Sequence, residues 1–425
     1  MSRTVGVPLW LIVLVGAAVI ILGLIVWSVK RRKRPHLSFE SIDSIGELMR
    51  SVAGVTQSTV LSGNSVRLLE NGRFFDDVFP TIENARASVN VETFLSKDGE
   101  VTRRMAEALS RKARAGVKVR LMLDGSGGRE FGKESIRQMK EAGCRVVFYH
   151  PLELRNLGRI NTRTHRKIIV VDGRIGYVGG HCLVDSWLGN AESKEHFRDI
   201  SARVEGPVVA QLQSAFADNW IEETGEVIDG DRFFPPLPPA GGCDAHVVFV
   251  SPTGAPSTLK LLHYIGIQAA KKSILIQNPY FLPDPDARDA LVAAVKRGVD
   301  VRIMIPDTSA SDSQIVQHAS HHHYGTLLKG GVRLFDYMPT LLHQKVFTVD
   351  GTWSSIGSTN FDDRSFEIND EVSLVVYDTG MAAQLEAIFR QDREHAVERH
   401  LESWRRRPIL HKLIDFTAFL ANEQL

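Results

Sequence analysis

Two imidazole–ammonium pairs stand out in the 425-residue sequence. One is His165-Arg166-Lys167, continued by Ile168-Ile169-Val170-Val171-Asp172-Gly173. The other is His343-Gln344-Lys345, continued by Val346-Phe347-Thr348-Val349-Asp350-Gly351. A small-residue turn follows each, Gly179-Gly180-His181-Cys182 in the first and Gly357-Ser358-Thr359-Asn360 in the second. Imidazole titrates near neutrality, so it serves as nucleophile, acid or base. A lysine beside it is a point charge for an anionic group. Two copies at matched positions are hard to ascribe to chance.

The apolar runs after each pair are rich in β-branched residues and read as buried strands ended by Asp-Gly turns. Side chains alternate along a strand, so His and Lys at i and i+2 share a face. Asp172 and Asp350 fall at the far end, where an aspartate's ordinary role is to hold its own turn. Further on, Phe197-Arg198-Asp199-Ile200 and Ile368-Asn369-Asp370-Glu371-Val372 each lead into another strand-like run. A carboxylate heading a strand beside a histidine strand accepts the second ring N–H and fixes the tautomer, which makes Asp199 and Glu371 the candidate orienting residues.

The elements around these residues repeat once. Helix, strand, helix, glycine and strand occur as Phe79–Ala87, Ser88–Phe94, Val101–Ala115, Gly116 and Val117–Asp124. They recur as His263–Ala270, Ser273–Ile276, Pro285–Arg297, Gly298 and Val299–Asp307. A further helix, a glycine and a strand (Cys144–Tyr149; Val332–Tyr337) then precede each His-x-Lys strand. The fold class is α/β, two lobes in a pseudo-twofold repeat with a mixed sheet in each. The spacing predicts lobe 1 over 63–232, a proline-stiffened linker over 233–242 and lobe 2 over 243–400.

Before the lobes lie a transmembrane anchor with basic flank (1–34) and a juxtamembrane segment (35–62). Val5–Val29 carries no charge and is long enough as a helix to span a hydrocarbon core of ~30 Å. Five basic residues, Lys30 to Arg34, follow it, which favours an uncleaved single-pass anchor with the catalytic part cytoplasmic. Residues 401–425 form a basic, amphipathic tail, read equally as a helix on a membrane surface or a last packed helix. Net charge is +1, from 51 basic and 50 acidic residues. Residues 1–34 hold six of the basic ones and no acid, so the remainder has 45 against 50, a net of −5. That balance disfavours non-specific nucleic-acid binding. The three cysteines, Cys144, Cys182 and Cys243, show neither metal spacing nor a disulfide framework. His321-His322-His323 does not read as a metal site, because adjacent residues cannot share a face. Asp124-Gly125-Ser126-Gly127-Gly128 reads as a flexible loop over the site rather than a phosphate cradle.

The doubled His-x-Lys-x4-Asp motif with its Gly-Gly or Gly-Ser turns resembles the phospholipase D superfamily over about residues 59 to 408. Gly63-Asn64-x-Val66, Pro279-Tyr280-Phe281-x-Pro283-Asp284, Ser358-Thr359-Asn360-Phe361-Asp362-x-Arg364-Ser365-Phe366 and Trp404–Pro408 are most similar to the bacterial cardiolipin synthases. The resemblance implies a phosphatidyltransferase. Displacement at a phosphodiester needs a nucleophile, an acid for the leaving oxygen and positive charge at the non-bridging oxygens. It implies a catalytic set of His165, Lys167, Asp172, His343, Lys345 and Asp350, with Asn360 binding substrate. Family analogy makes His165 the nucleophile, forming a phosphatidyl-histidine, and His343 the acid and base; the residues themselves leave that order open. No metal or other cofactor is required, because protein groups supply the charge. The expected substrates are phospholipids, phosphatidylglycerol foremost, and no nucleic acid; oligomeric state is open. Cys182 departs from the family pattern, standing where the second copy has Asn360. Transfer to water instead of a second lipid, a nuclease and a non-catalytic membrane scaffold are the competing readings.

Overall fold

The computed structural model describes residues 43–419 except 154–155, 157–158, 160 and 252–256, together with 8, 10, 11, 13–17, 20 and 37. The expected anchor, Val5–Val29, and its basic flank lie mostly outside the described residues. Within it, residues 10, 11, 13–17 and 20 are helical and exposed. Among the described residues no helix is long and apolar enough to cross a membrane.

Fifteen strands form one sheet. The first seven are β1 (Leu61–Glu70), β2 (Ser88–Thr93), β3 (Lys118–Asp124), β4 (Arg145–Tyr149), β5 (Ile168–Val171), β6 (Ile175–Gly179) and β7 (Ile200–Glu205). The next eight are β8 (Cys243–Val250), β9 (Ser273–Gln277), β10 (Asp300–Pro306), β11 (Arg333–Tyr337), β12 (Val346–Val349), β13 (Trp353–Gly357), β14 (Glu371–Tyr377) and β15 (Ala396–Arg399). The order from one edge is β15-β11-β10-β9-β12-β13-β14-β8-β1-β7-β6-β5-β2-β3-β4. Read outward from the centre, β1-β7-β6-β5-β2-β3-β4 repeats as β8-β14-β13-β12-β9-β10-β11. Strands β2-β3-β4 and β9-β10-β11 are parallel, as their helical connections require, the inner ones are antiparallel, and β15 adds antiparallel to β11 at the edge. The sheet is therefore mixed.

Helices Glu100–Arg114 and Pro285–Lys296 make corresponding crossovers. The second is capped by Asp284, whose Oδ1 accepts from the Ala287 N–H at 2.8 Å, with Pro285 at the first helical position. Residues 233–242, expected as a linker between lobes, lie against the first half. The Phe233 side chain is buried with Trp220 and Tyr149, and the Ala240 N–H donates to the Gly63 carbonyl at 2.8 Å.

Alternation along β5 decides what holds the sheet together. Ile169 and Val171 enter the core of the first half, with Val89, Val91 and Leu121. Ile168 and Val170 face the other way, into a core that also holds Val247, Val346, Ile356, Val372 and Leu374. This second core is common to both halves, and each fully buried Val, Ile or Leu in it contributes about 1.5–3 kcal/mol. It places the segments that begin β5 and β12 against the opposite half.

Candidate active site

The two histidine segments stand immediately before their strands, in extended backbone. Each is tied to the other half. The His165 N–H donates to the Asp370 carbonyl at 2.9 Å, and the His343 N–H to the Arg198 carbonyl at 2.7 Å. Isolated bridges join Thr164 to Asp370 and Arg198 to Leu342. The residue after each tied carbonyl is a carboxylate. Glu371 Oε1 lies 2.8 Å from His165 Nδ1, and Asp199 Oδ2 lies 2.8 Å from His343 Nδ1. The sequence left open which carboxylate serves which histidine; the structure pairs each histidine with the carboxylate of the other half. With Nδ1 committed to a carboxylate, Nε2 of each ring is left for chemistry.

The two pairs differ. Asp199 accepts from His343, from the indole N–H of Trp187 at 2.7 Å and from the Ile200 N–H at 2.8 Å. Burial pushes its carboxyl up, but His343, His181 and Lys345 outweigh burial and hold it below the usual range. Gly180 makes room for this carboxylate, because a Cβ there would meet Asp199 Oδ1 at 2.3 Å. In the second half Ser358 occupies the matching position and its hydroxyl donates to Glu371. Burial pushes Glu371 up to about 7, against the pull of Lys167 and Ser358. The Gly-Gly and Gly-Ser turns thus set two different carboxylates behind two similar imidazoles.

Both lysines are buried. Lys167 Nζ donates to the His165 carbonyl and Lys345 Nζ to the His343 carbonyl, each at 2.7 Å. Lys345 Nζ also stands 2.9 Å from His343 Nε2. Burial lowers Lys345 to about 7, partly opposed by Asp199, and lowers Lys167 in the same direction. Burial first, then the lysines, lowers both imidazoles: His343 to about 4 and His165 well below its ordinary value. His165 also feels His343 and Arg364 directly, which places both rings in one electrostatic field. Burial thus disfavours the charged forms of both rings and both lysines, a bias that an entering phosphodiester anion opposes. Phe94 and Trp187 pack edge-on against His165 and His343, each at 5.0 Å between centroids.

Asn360 is buried, and its Oδ1 has no hydrogen-bond partner. Its backbone N–H lies 3.3 Å from Ser365 Oγ. Cys182 is buried at the matching place in the first half. Burial raises its thiol, while Lys167 and Lys345 pull it down.

Asp172 and Asp350 do not belong with the catalytic groups. Asp172 Oδ1 accepts from the N–H groups of Arg86, Ala87 and Ser88 at 3.1, 2.6 and 2.9 Å. Asp350 Oδ1 accepts from Lys271, Lys272 and Ser273 at 3.1, 2.7 and 2.9 Å. Each carboxylate clamps the start of the neighbouring antiparallel strand, β2 or β9, at the end of β5 or β12 away from the histidine. Each residue sits at a φ of +54°, which Asp tolerates better than most. Replacing Asp172 by Ala leaves three N–H groups without their acceptor and should cost about 3 kcal/mol of stability. The expected result is a lowered denaturant midpoint with kcat of the folded fraction unchanged.

One other expectation changes, and the histidine run keeps its structural reading. The Gly-rich loop is not a flexible cover. Asp124 Oδ1 takes the N–H groups of Ser126 and Gly127 at 2.8 and 2.9 Å, and its Oδ2 takes that of Thr164 at 3.1 Å. The loop pins the residue before His165. His321 is paired after all, but with His318 and Asp415 rather than its neighbours. These three bring one ligand atom each within 4.8 Å. Arg407 Nη1 lies 2.7 Å from Asp415 Oδ2, and Arg399 Nη2 lies 3.4 Å from His321 Nε2. Two guanidiniums at that distance oppose a dication, so the group joins protein segments instead.

Comparisons with known proteins agree with this geometry. The family model for the cardiolipin synthase, PLD-like domain matches residues 78–220 and 265–393. The chain is 36% identical over 355 residues to cardiolipin synthase A of Pseudomonas putida (strain F1), covering 82% of this chain and 73% of that protein. It is 34% identical over 336 residues to the probable cardiolipin synthase YwiE of Bacillus subtilis (strain 168), covering 78% and 67%. Its fold is similar to that of phosphatidylserine synthase from Haemophilus influenzae Rd KW20 (TM-score 0.70, 14% identity, 89% of this chain and 100% of that one). The crossed histidines, the lysines and these relatives converge: the chain belongs to the phospholipase D-like cardiolipin synthase family and is an enzyme of the phospholipid phosphatidyltransferase type.

Proposed function

We propose that the protein joins two phosphatidylglycerol molecules into cardiolipin, releasing glycerol, through a phosphatidyl-histidine. The observation that carries this reading is the crossed pairing of His165 with Glu371 and His343 with Asp199. It leaves both Nε2 atoms uncommitted to a carboxylate, with Lys345 Nζ 2.9 Å from that of His343, in a chain related to cardiolipin synthases.

His165 Nε2 attacks phosphorus, and the bond from phosphorus to the glycerol oxygen breaks. The phosphodiester anion and Asp199 favour the charged ring, so His343 takes up a proton from solvent at Nε2 as the lipid binds and gives it to that oxygen. The headgroup hydroxyl of a second phosphatidylglycerol then loses its proton to His343 Nε2 and displaces His165, restoring both rings. Charge supports this order. Asp199 stays ionised and stabilises an imidazolium at His343, as an acid requires. Glu371, with a carboxyl near 7, takes up the Nδ1 proton of His165 as the phosphorus–nitrogen bond forms. Lys345 leaves His343 Nε2 for the phosphate oxygens when the anion enters. Lys167 and Asn360 hold the remaining oxygen, and Cys182 contributes at most a weak donor on its side.

The same reading takes residues 63–232 and 243–400 as the two lobes, joined by 233–242 and facing each other about a pseudo-twofold axis. Val5–Val29 is then the membrane anchor, with the catalytic part cytoplasmic. Phosphatidylglycerol labelled in its headgroup and, separately, in its acyl chains tests the reaction. The expected products are labelled free glycerol and cardiolipin carrying both acyl sets. Phosphatidic acid as the sole lipid product would overturn it.

A further inference from the structure

We infer that helix Ile409–Phe419 is an interfacial helix that lays its outer face into an anionic lipid surface. The choice of lipid as partner rests in part on the phosphatidyl-transfer reading above. The helix is docked on helix Gln314–Lys329 by one side, where Phe419 stacks on His322 at 4.3 Å and Phe416 lies 5.9 Å from the same ring. Asp415 and Ala418 are its buried residues, 2% and 7% exposed. Asp415 Oδ1 is held by His318 Nδ1 at 2.9 Å and Oδ2 by Arg407 Nη1 at 2.7 Å, while Ala418 joins a small cluster with Leu282, Val316 and Ala319.

The apolar side chains on the other side are exposed, Phe416 alone of them touching a ring of the supporting helix, that of His322. Ile409 is 84% exposed and Leu413 56%, and Leu410, Ile414 and Phe416 are exposed with them. At 3.6 residues per turn these five share one broad face. A contiguous exposed apolar face of this kind marks an interaction surface. The charges around it select the partner. Arg405, Arg406 and Lys412 are exposed, whereas the helix's single described acid, Asp415, is buried and paired. A second copy packed face to face would set these cations against their own images; an anionic headgroup layer complements them.

The docking also sets location. The cluster holding Ala418 contains Leu282, next to Phe281, which bridges to Phe361 directly after Asn360. Gln317 Nε2, on the supporting helix Gln314–Lys329, donates to the Pro279 carbonyl at 2.8 Å. Tyr280 donates to Asp312, whose charge is felt by Lys345. The tail, the rim segment 279–284 and the lysine are thus one connected body. Lying on lipid, the helix would hold segment 279–284, and through it Asn360, near headgroup level.

The test uses the full chain with Cys243→Ser and Leu413→Cys, since Cys144 and Cys182 are buried. A fluorophore at position 413 is followed in proteoliposomes of phosphatidylcholine with and without phosphatidylglycerol, each doped with spin-labelled lipid. Lipid quenching reads this helix itself, whatever residues 1–40 do. The expected result is a blue-shifted probe quenched at least about twofold more when phosphatidylglycerol is present. A probe that stays unquenched overturns the proposal, whether position 413 remains reactive to an aqueous maleimide or is shielded by a second copy or another segment. Leu410→Glu with Leu413→Glu should lower turnover of vesicle phosphatidylglycerol while sparing a dispersed short-chain analogue; equal loss on both would count against it. Quenching without any transferase activity would leave this inference standing and remove the enzymatic reading.

Discussion

His165→Ala should reduce phosphatidyl transfer at least about a thousandfold, and His343→Ala should do the same, both in kcat rather than in KM. Each ring supplies one of the two groups that the displacement cannot do without, and each is buried and held in place by its carboxylate. The two losses should separate with substrate. A lipid analogue with a nitrophenol leaving group needs no proton on departure. Its first turnover should recover substantially in His343→Ala and not in His165→Ala. Equal recovery in both would remove the assignment of roles. Retention of full activity in both would remove the site.

Asp199→Asn should lower kcat by about a hundredfold to ten-thousandfold, although Asp199 and its histidine are 144 residues apart. The amide keeps the shape and can still bond to Trp187. It withdraws the charge that stabilises a protonated His343, and it can present an N–H where Nδ1 needs an acceptor. The effect should vanish in the His343→Ala background, because residues acting as one unit are not additive. Asp199→Asn should also leave KM for phosphatidylglycerol nearly unchanged, since Asp199 touches the histidine and not the lipid. Glu371→Gln should show the same dependence on His165. A cycle in which Asp199 couples to His165 instead would contradict the crossed arrangement.

Local pattern made much of this molecule readable. Ile168–Val171 and Val346–Val349 are strands where β-branched runs said so. Gly116 and Gly298 close their helices at φ of +89° and +92°. Asp199 and Glu371 were legible as carboxylates near histidines. Their exchange between halves was not, because it depends on a core shared by Ile168, Val170, Val346 and Val372, residues far apart along the chain. The strands that join the halves were missed for a local reason. β1 contains Gly63 and alternates polar with half-exposed residues, so it lacks the apolar run that announced β5. Trp187 carries no signal in sequence; only the fold brings its indole to Asp199. Asp172 and Asp350 show the converse error. Their recurrence in the motif argued for chemistry, while their position at a turn argued for the backbone clamp that the structure displays.

The account stands on the claim that one phosphorus atom meets both imidazoles and bonds to the first. The measurement is peptide mass spectrometry after an alkaline quench, which preserves the acid-labile phosphorus–nitrogen bond, on enzyme mixed with short-chain phosphatidylglycerol. The prediction is a phosphatidyl adduct on the peptide containing His165, accumulating in single turnover and discharged by added phosphatidylglycerol. An adduct on His343, or active turnover with no adduct on either ring, would contradict it.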